Sequence, residues 1–213
     1  MSCKLYFIRH GQSLGNLESK FLGHTDRDLS PLGYQQAAKT AEYLKSIHID
    51  KVYSSDLLRA YNTCCEYLKI ADKTAIKLIE LREIFAGDWE NHLFSELQTD
   101  FADSYSIWLN DIGNATPPNG ESVKNLTERA KNIITKIASE NDGKSVAIFT
   151  HAAFIRSFFN YCYNNNLSEM KNLPWSGNAS VSSVEFTDGS FKVIKYSEDS
   201  FLSELKTHFP LNV

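Results

Sequence analysis

The sequence predicts an α/β fold: a three-layer sandwich with a mostly parallel central sheet, helices on both faces, an antiparallel edge strand and an inserted helical lid. Three observations carry that prediction. Short apolar runs at 4–8, 51–54 and 145–150 alternate with stretches of helical periodicity. The tail alternates apolar and polar residues on either side of Asp188-Gly189, as a β-hairpin does. Between them, residues 86–119 are rich in Asp, Asn and aromatics and end in Thr116-Pro117-Pro118-Asn119-Gly120, which breaks the alternation.

Lys4-Leu5-Tyr6-Phe7-Ile8 ends at charged Arg9, as expected of a strand covered on both faces, so Arg9-His10 falls where strand gives way to loop. Ser30-Pro31 reads as an N-cap with proline at the first helical position. Tyr34, Ala37, Ala38, Ala41 and Leu44 follow at helical spacing. Lys51 to Ser54 reads as a strand, after which Ser55 or Asp56 is expected to cap a helix. Its apolar side is read as Leu57, Leu58, Tyr61, Cys65 and Leu68, with Arg59 in the first turn. Thr74 to Leu81 reads as another strand, and about 86–118 as a partly helical lid. From Glu121, the positions Val123, Leu126, Ala130, Ile133, Ile134 and Ile137 share one helical face. Ser145 to Thr150 is a strand running into His151, with a helix expected over about 153–164. Ser180–Phe186 and Phe191–Tyr196 complete the hairpin, and residues 1–213 read as a single domain.

With 213 residues, 42% of them hydrophobic, the chain can bury one substantial core. Its 26 acidic and 22 basic residues give a net charge of −4 without a long run of either sign, which argues against nucleic acid or an anionic membrane as partner. No run of about 18 apolar residues occurs, and the N-terminal apolar stretch is too short for a signal-peptide core, so a cytoplasmic location is expected. Cys3, Cys64, Cys65 and Cys162 form no CxxC pair and have no ligand-like spacing to histidine. They read as free thiols, with no metal expected. The sequons at Asn114, Asn125 and Asn178 carry meaning only in a secreted chain.

Open α/β sheets gather ligands beyond the carboxyl ends of their strands. Four predicted strand ends deliver Arg9-His10, Arg59, Glu83 and His151 to that rim. Paired guanidiniums grip a phosphoryl group and neutralise its charge. A neutral imidazole can attack phosphorus, and a carboxyl group in an enclosed pocket can keep a proton for the departing oxygen. Taken singly, a histidine after a strand is more often a hydrogen-bonded structural residue. The pattern alone therefore leaves open both a phosphate site and a set of structural residues.

The motifs are more specific. Arg9-His10-Gly11-Gln12-Ser13, Asn16, Phe21-Leu22-Gly23, Asp26, Asp28-Leu29-Ser30 and Gly33 form one uninterrupted signature. Ser54-Ser55-Asp56-Leu57-Leu58-Arg59-Ala60, Leu81-Arg82-Glu83 with Gly87 and Trp89, Gly120-Glu121-Ser122, Thr150-His151 and Ile155-Arg156 follow in order. Over roughly residues 4–160 the chain thus resembles the histidine phosphatase superfamily, the phosphoglycerate mutase-like family, in its phosphatase-like branch.

The resemblance implies that His10 is the phosphorylated nucleophile, Glu83 the proton donor, and Arg9, Arg59 and His151 the rest of the catalytic group. It adds Gln12, Ser13, Asn16, Leu22, Gly23 and Ala152 as phosphate- or substrate-binding positions, and implies no cofactor or metal. The chain departs from the family pattern at Ala86, Asn91 and Ala152, which bears on the leaving-group pocket and leaves the catalytic groups in place.

These implications point to a phosphomonoesterase acting on a small phosphorylated metabolite. A 2,3-bisphosphoglycerate-dependent phosphoglycerate mutase is the alternative. Only 36 residues separate Glu83 from Gly120, short for a mutase that must shield its phosphoenzyme from water. A catalytically inactive phospho-ligand-binding regulator is less favoured, since nucleophile and acid are both retained. A homodimer through the C-terminal hairpin stays open. The segment aromatics Trp89, Phe94, Phe101, Tyr105 and Trp108 either line the pocket or pack the lid.

Overall fold

The run at 4–8 forms strand β1 (Cys3–Arg9) in a computed structural model that describes residues 2–207. Five more strands complete one sheet: β2 (Lys51–Ser54), β3 (Ala75–Lys77), β4 (Ser145–Thr150), β5 (Val181–Thr187) and β6 (Ser190–Glu198). Their spatial order is β3-β2-β4-β1-β5-β6. β1 to β4 are mutually parallel, while β5 runs antiparallel to β1 and β6 antiparallel to β5. The antiparallel edge is therefore a hairpin, with its reversed strand second from the rim.

The helices are α1 (Leu14–Leu17), α2 (Pro31–Lys45), α3 (Leu58–Ala71), α4 (Phe94–Asp100), α5 (Ala102–Asn110), α6 (Val123–Glu140) and α7 (Ala152–Cys162). Strand alternation sorts the sheet residues into two buried clusters. Ile8, Val52, Ala147 and Phe149 meet α2 and α3 through Ala41, Leu44, Cys64 and Tyr67. Leu5, Phe7, Val146 and Ile148 meet α6 and α7 through Ile134, Ile137, Phe154 and Phe158 on the opposite face. Three layers result, and the segment 86–118 adds α4 and α5 over one end.

The Ser30-Pro31 start of α2 forms as expected, Ser30 Oγ accepting from Gly33 N at 3.1 Å. Tyr34 and Ala38, however, face outward, and polar Gln36 and Thr40 are buried instead. Both find partners: Gln36 Oε1 accepts from Gln12 N at 2.8 Å, and Thr40 Oγ1 donates to Ala179 O at 2.8 Å.

The expected cap of α3 is corrected. Its N-cap is Leu57, which makes no side-chain cap bond; Ser55 is drawn to His151 and Asp56 to Arg82. The first amide of α3, Leu58 N, is capped from a distance by Asp26 Oδ1 at 2.7 Å. The buried side of α3 is Ala60, Thr63, Cys64 and Tyr67, leaving Leu58 exposed, so the face is rotated from the one the apolar residues suggested.

The strand expected over 74–81 is also corrected. Its neighbour β2 has only four residues, so β3 pairs at three positions and the chain then turns through a 3-10 segment at Ile79–Leu81. That turn brings Glu83 beneath the carboxyl ends of β1 and β4. Helix α7 starts at Ala152, directly after β4, and ends at Cys162.

Gly11 and Gly33 let two backbones meet where the loop after β1 crosses the start of α2. A Cβ on Gly33 would lie 2.0 Å from Gln12 O, and one on Gly11 would lie 2.4 Å from Gly33 O. Gly33→Ala should therefore cost about 3 kcal/mol, read as a lower denaturant midpoint at unchanged m-value. A loss below about 0.5 kcal/mol would show that this crossing gives way.

Among the described residues, no helix is long and apolar enough to cross a membrane.

Candidate active site

The register Arg9↔Thr150 between β1 and β4 makes the next residues, His10 and His151, neighbours at the sheet rim. Their ring centroids are 5.3 Å apart. His10 is fixed from its backbone outward: its N donates to Thr150 O at 3.0 Å, and its carbonyl accepts from Ala179 N and from Asn178 Nδ2, both at 3.1 Å.

Its side chain is oriented by one bond, from Nδ1 to Gly11 O at 2.7 Å. A carbonyl only accepts, so Nδ1 carries the proton and the neutral ring keeps its lone pair on Nε2. Burial, reinforced by Arg59 and Arg9, holds the imidazole well below its usual pKa. His10 thereby presents an uncharged, pre-oriented imidazole.

Arg9 and Arg59 are 5% and 1% exposed. Arg9 Nη1 donates to Ser176 O, and Arg59 donates through Nη2 to Gly23 O at 2.7 Å and through Nη1 to Thr25 O at 3.1 Å. Gly23 has φ +53°, and a Cβ there would crowd Ala86 at 2.6 Å, so the carbonyl that holds Arg59 depends on glycine. Burial pushes each guanidinium down to about 10, so both remain cationic at neutral pH.

Glu83 sits at the amino end of α7. Its carboxylate accepts from Ala153 N, Phe154 N and its neighbour Ile84 N, each at 3.1 Å. Its peptide carbonyl accepts from His24 Nε2 at 2.9 Å and Arg129 Nη2 at 3.1 Å. Arg129 also donates to the carbonyls of Glu80 and Arg82 and pairs in fork geometry with Glu121. Glu121 in turn accepts from Phe85 N at 3.3 Å, so the chain is clamped on both sides of Glu83.

His151 is fully buried and is the N-cap residue of α7. Its Nε2 lies 2.8 Å from Ser55 Oγ, while Nδ1 has no hydrogen-bond partner among the described residues. Burial, with Arg59 and His10, keeps it too well below the usual histidine range. Below about pH 6.5 the unfolded histidines charge and these two resist. Stability fully present above that pH is therefore lost as pH falls, by up to about 1.4 kcal/mol per pH unit for each histidine. The thermal midpoint should drop by several degrees between pH 7.5 and 5.5; a flat profile would contradict this.

The cavity is lined by Arg9, His10, Arg59 and Glu83, together with Ser13, Asn16, Leu22, Gly23 and Ala152 from the sequence-based set. Ser13 and Asn16 cap α1 reciprocally at 3.1 Å, so they also shape the loop. Gln12 is not among the residues lining the cavity, and its Oε1 accepts from Ser30 Oγ at 2.6 Å at the α2 junction. His151 stands beside His10 and is not part of the cavity wall.

The segment aromatics divide. Phe94 and Trp108 line the cavity, Trp89 and Tyr105 are core, and Phe101 packs edge-on against His92. Among the described residues, no group of three or more His, Cys, Asp or Glu is placed to hold a metal ion, and the four cysteines are free.

The sequence reading missed Lys20 and Trp175, which line the cavity, and Asn178 and Arg129, which hold the backbones of His10 and Glu83. Asn178, read there only as a sequon, is 2% exposed and also donates to Asn16 Oδ1 at 3.2 Å. One signal was available. A strand antiparallel to β1 must begin at the rim where β1 ends, which places 174–180 against His10.

The chain matches the histidine phosphatase superfamily (branch 1) over residues 5–199. It is 30% identical over 148 residues to the adenosylcobalamin/alpha-ribazole phosphatase of Escherichia coli, covering 70% of this chain and 73% of that one. It is 26% identical over 204 residues to phosphoserine phosphatase 1 of Hydrogenobacter thermophilus, covering 94% and 95%. Among solved structures, Bacillus stearothermophilus YhfR superposes with a TM-score of 0.90 at 24% identity, over 94% of this chain and all of that one, which establishes the shared fold. Sequence match and fold agree over nearly the whole chain, and this protein belongs to the histidine phosphatase superfamily, branch 1.

Proposed function

We propose that this phosphoric monoester hydrolase cleaves a small phosphate ester through a phosphohistidine on His10, with Glu83 as proton donor. The observation that carries the reading is the bond from His10 Nδ1 to Gly11 O, which leaves the Nε2 lone pair available beside two buried guanidiniums. In the first step a bond forms from Nε2 to phosphorus as the bond from phosphorus to the ester oxygen breaks. Arg9 and Arg59 hold the phosphoryl oxygens as charge moves onto the departing group. His151, beside His10 and outside the cavity wall, keeps Nδ1 uncommitted among the described residues.

Glu83 gives its proton to the leaving oxygen as the ester bond breaks. The resulting carboxylate then takes a proton from water as that water attacks phosphorus, releasing phosphate and restoring Nε2. The relatives are phosphatases named for phosphoserine, glucosyl-3-phosphoglycerate and alpha-ribazole compounds, which supports a small phosphorylated metabolite as the substrate of this chain. A screen of phosphorylated metabolites for phosphate release tests the reading. Turnover of none, or strong 2,3-bisphosphoglycerate-stimulated interconversion of 3- and 2-phosphoglycerate in place of hydrolysis, would overturn it.

A further inference from the structure

Four aromatic rings, Phe21, Phe94, Trp108 and Trp175, line the cavity together with the two guanidiniums. Trp108 and Trp175 are stacked, centroids 5.9 Å apart at 27°. Each is held from behind. The Arg156 guanidinium carbon lies 4.3 Å from the Trp175 ring centroid, with Arg156 Nη2 tied to Met170 O at 3.0 Å. Trp108 meets Phe21 edge-on at 5.1 Å and Trp89 at 5.8 Å. These rings are pre-set surfaces, immobilised before any ligand arrives.

Cations on the cavity wall are few. Arg156 lies behind Trp175 and does not line the cavity. Among the described residues, the one cation on the wall beyond Arg9 and Arg59 is Lys20, whose Nζ is 3.2 Å from Glu18, a carboxylate that Arg27 also holds at 2.6 Å. An alcohol bearing a carboxylate would meet apolar rings and a cation already paired. An alcohol bearing a planar ring would meet aromatic rings against which it can pack.

We propose that the Phe21, Phe94, Trp108 and Trp175 wall is a leaving-group subsite for a planar ring, making ring-bearing phosphate monoesters preferred over those whose alcohol carries a carboxylate. The proposal rests on the hydrolytic reading above for the position of the phosphoryl group, and a binding experiment separates the two. Non-hydrolysable phosphonates are titrated against the intact protein, with tryptophan fluorescence as readout. Benzylphosphonate should bind at least tenfold tighter than methylphosphonate, while phosphonoacetate should bind no tighter than methylphosphonate. Trp175→Leu should collapse the benzyl-to-methyl ratio to within about threefold of one.

Hydrolysis supplies the second arm, using alkyl esters to limit differences in leaving-group acidity. Benzyl phosphate should exceed glycerol phosphate and phosphoserine at least tenfold in kcat/KM, mainly through KM. Equal phosphonate affinities, or tighter binding of phosphonoacetate, overturn the subsite even if every ester is hydrolysed. A benzyl preference in binding with no hydrolysis of any ester sustains the subsite and sinks the hydrolytic reading.

Discussion

His10→Ala should lower kcat/KM on every phosphate ester by about 10⁴-fold or more, the largest effect expected of any single substitution. Among the described residues, no other group on the cavity wall combines a free lone pair with the buried cationic surroundings of Nε2, so the variant has no substitute nucleophile. The fold should survive, because the main-chain bonds that place residue 10, to Thr150, Ala179 and Asn178, do not involve the imidazole. Incubation of the unsubstituted protein with a 32P-labelled ester and rapid acid quench is the direct measurement. Label should be acid-labile and map to His10, and be absent from the variant. Retained activity, or acid-stable label on another residue, would refute the assigned nucleophile.

Glu83→Gln should reduce kcat about 10²- to 10⁴-fold on alkyl phosphates and far less on activated aryl phosphates, whose oxygens depart without a proton. The contrast between substrates is the diagnostic feature. The substituted amide keeps the size of the side chain and one acceptor oxygen for the amides of α7, so loss of proton transfer is separated from loss of shape. A rate plotted against leaving-group acidity should become steeper in the variant. Equal slowing on both ester classes would mean that Glu83 only shapes the cavity, and that the proton comes from elsewhere.

The candidate group was legible because its members sit beside strong local signals. Arg9-His10 closes an apolar run, and His151 closes another. The Ser30-Pro31 start and the face of α6 were equally local. Errors came where partners lie far apart in sequence. Asp26 caps α3 from 32 residues upstream, a bond that no reading of Ser55 and Asp56 could anticipate. The buried side of α3 includes Arg59 and Thr63, so counting apolar residues rotated the helix. Thr63 is buried because its Oγ1 accepts from Gly11 N at 3.0 Å, bracing the loop that orients His10. Gln12 stands beside His10 in sequence, while its bonds run to Ser30 and Gln36 at α2. Arg129 belongs to no strand end, and only the closed fold brings it to Glu83.

The pairing of Arg9 with Thr150 separates two kinds of inheritance within one small enzyme. Nucleophile, guanidiniums and acid hang from the sheet, the start of α3 and the start of α7, where a change disturbs many bonds at once. Phe94 and Trp108 come from α4 and α5, which face His10 and the guanidiniums only across the cavity. A lineage can therefore redraft what the enzyme accepts while leaving how it reacts untouched, and new substrates become reachable by changes that never pass through an inactive ancestor.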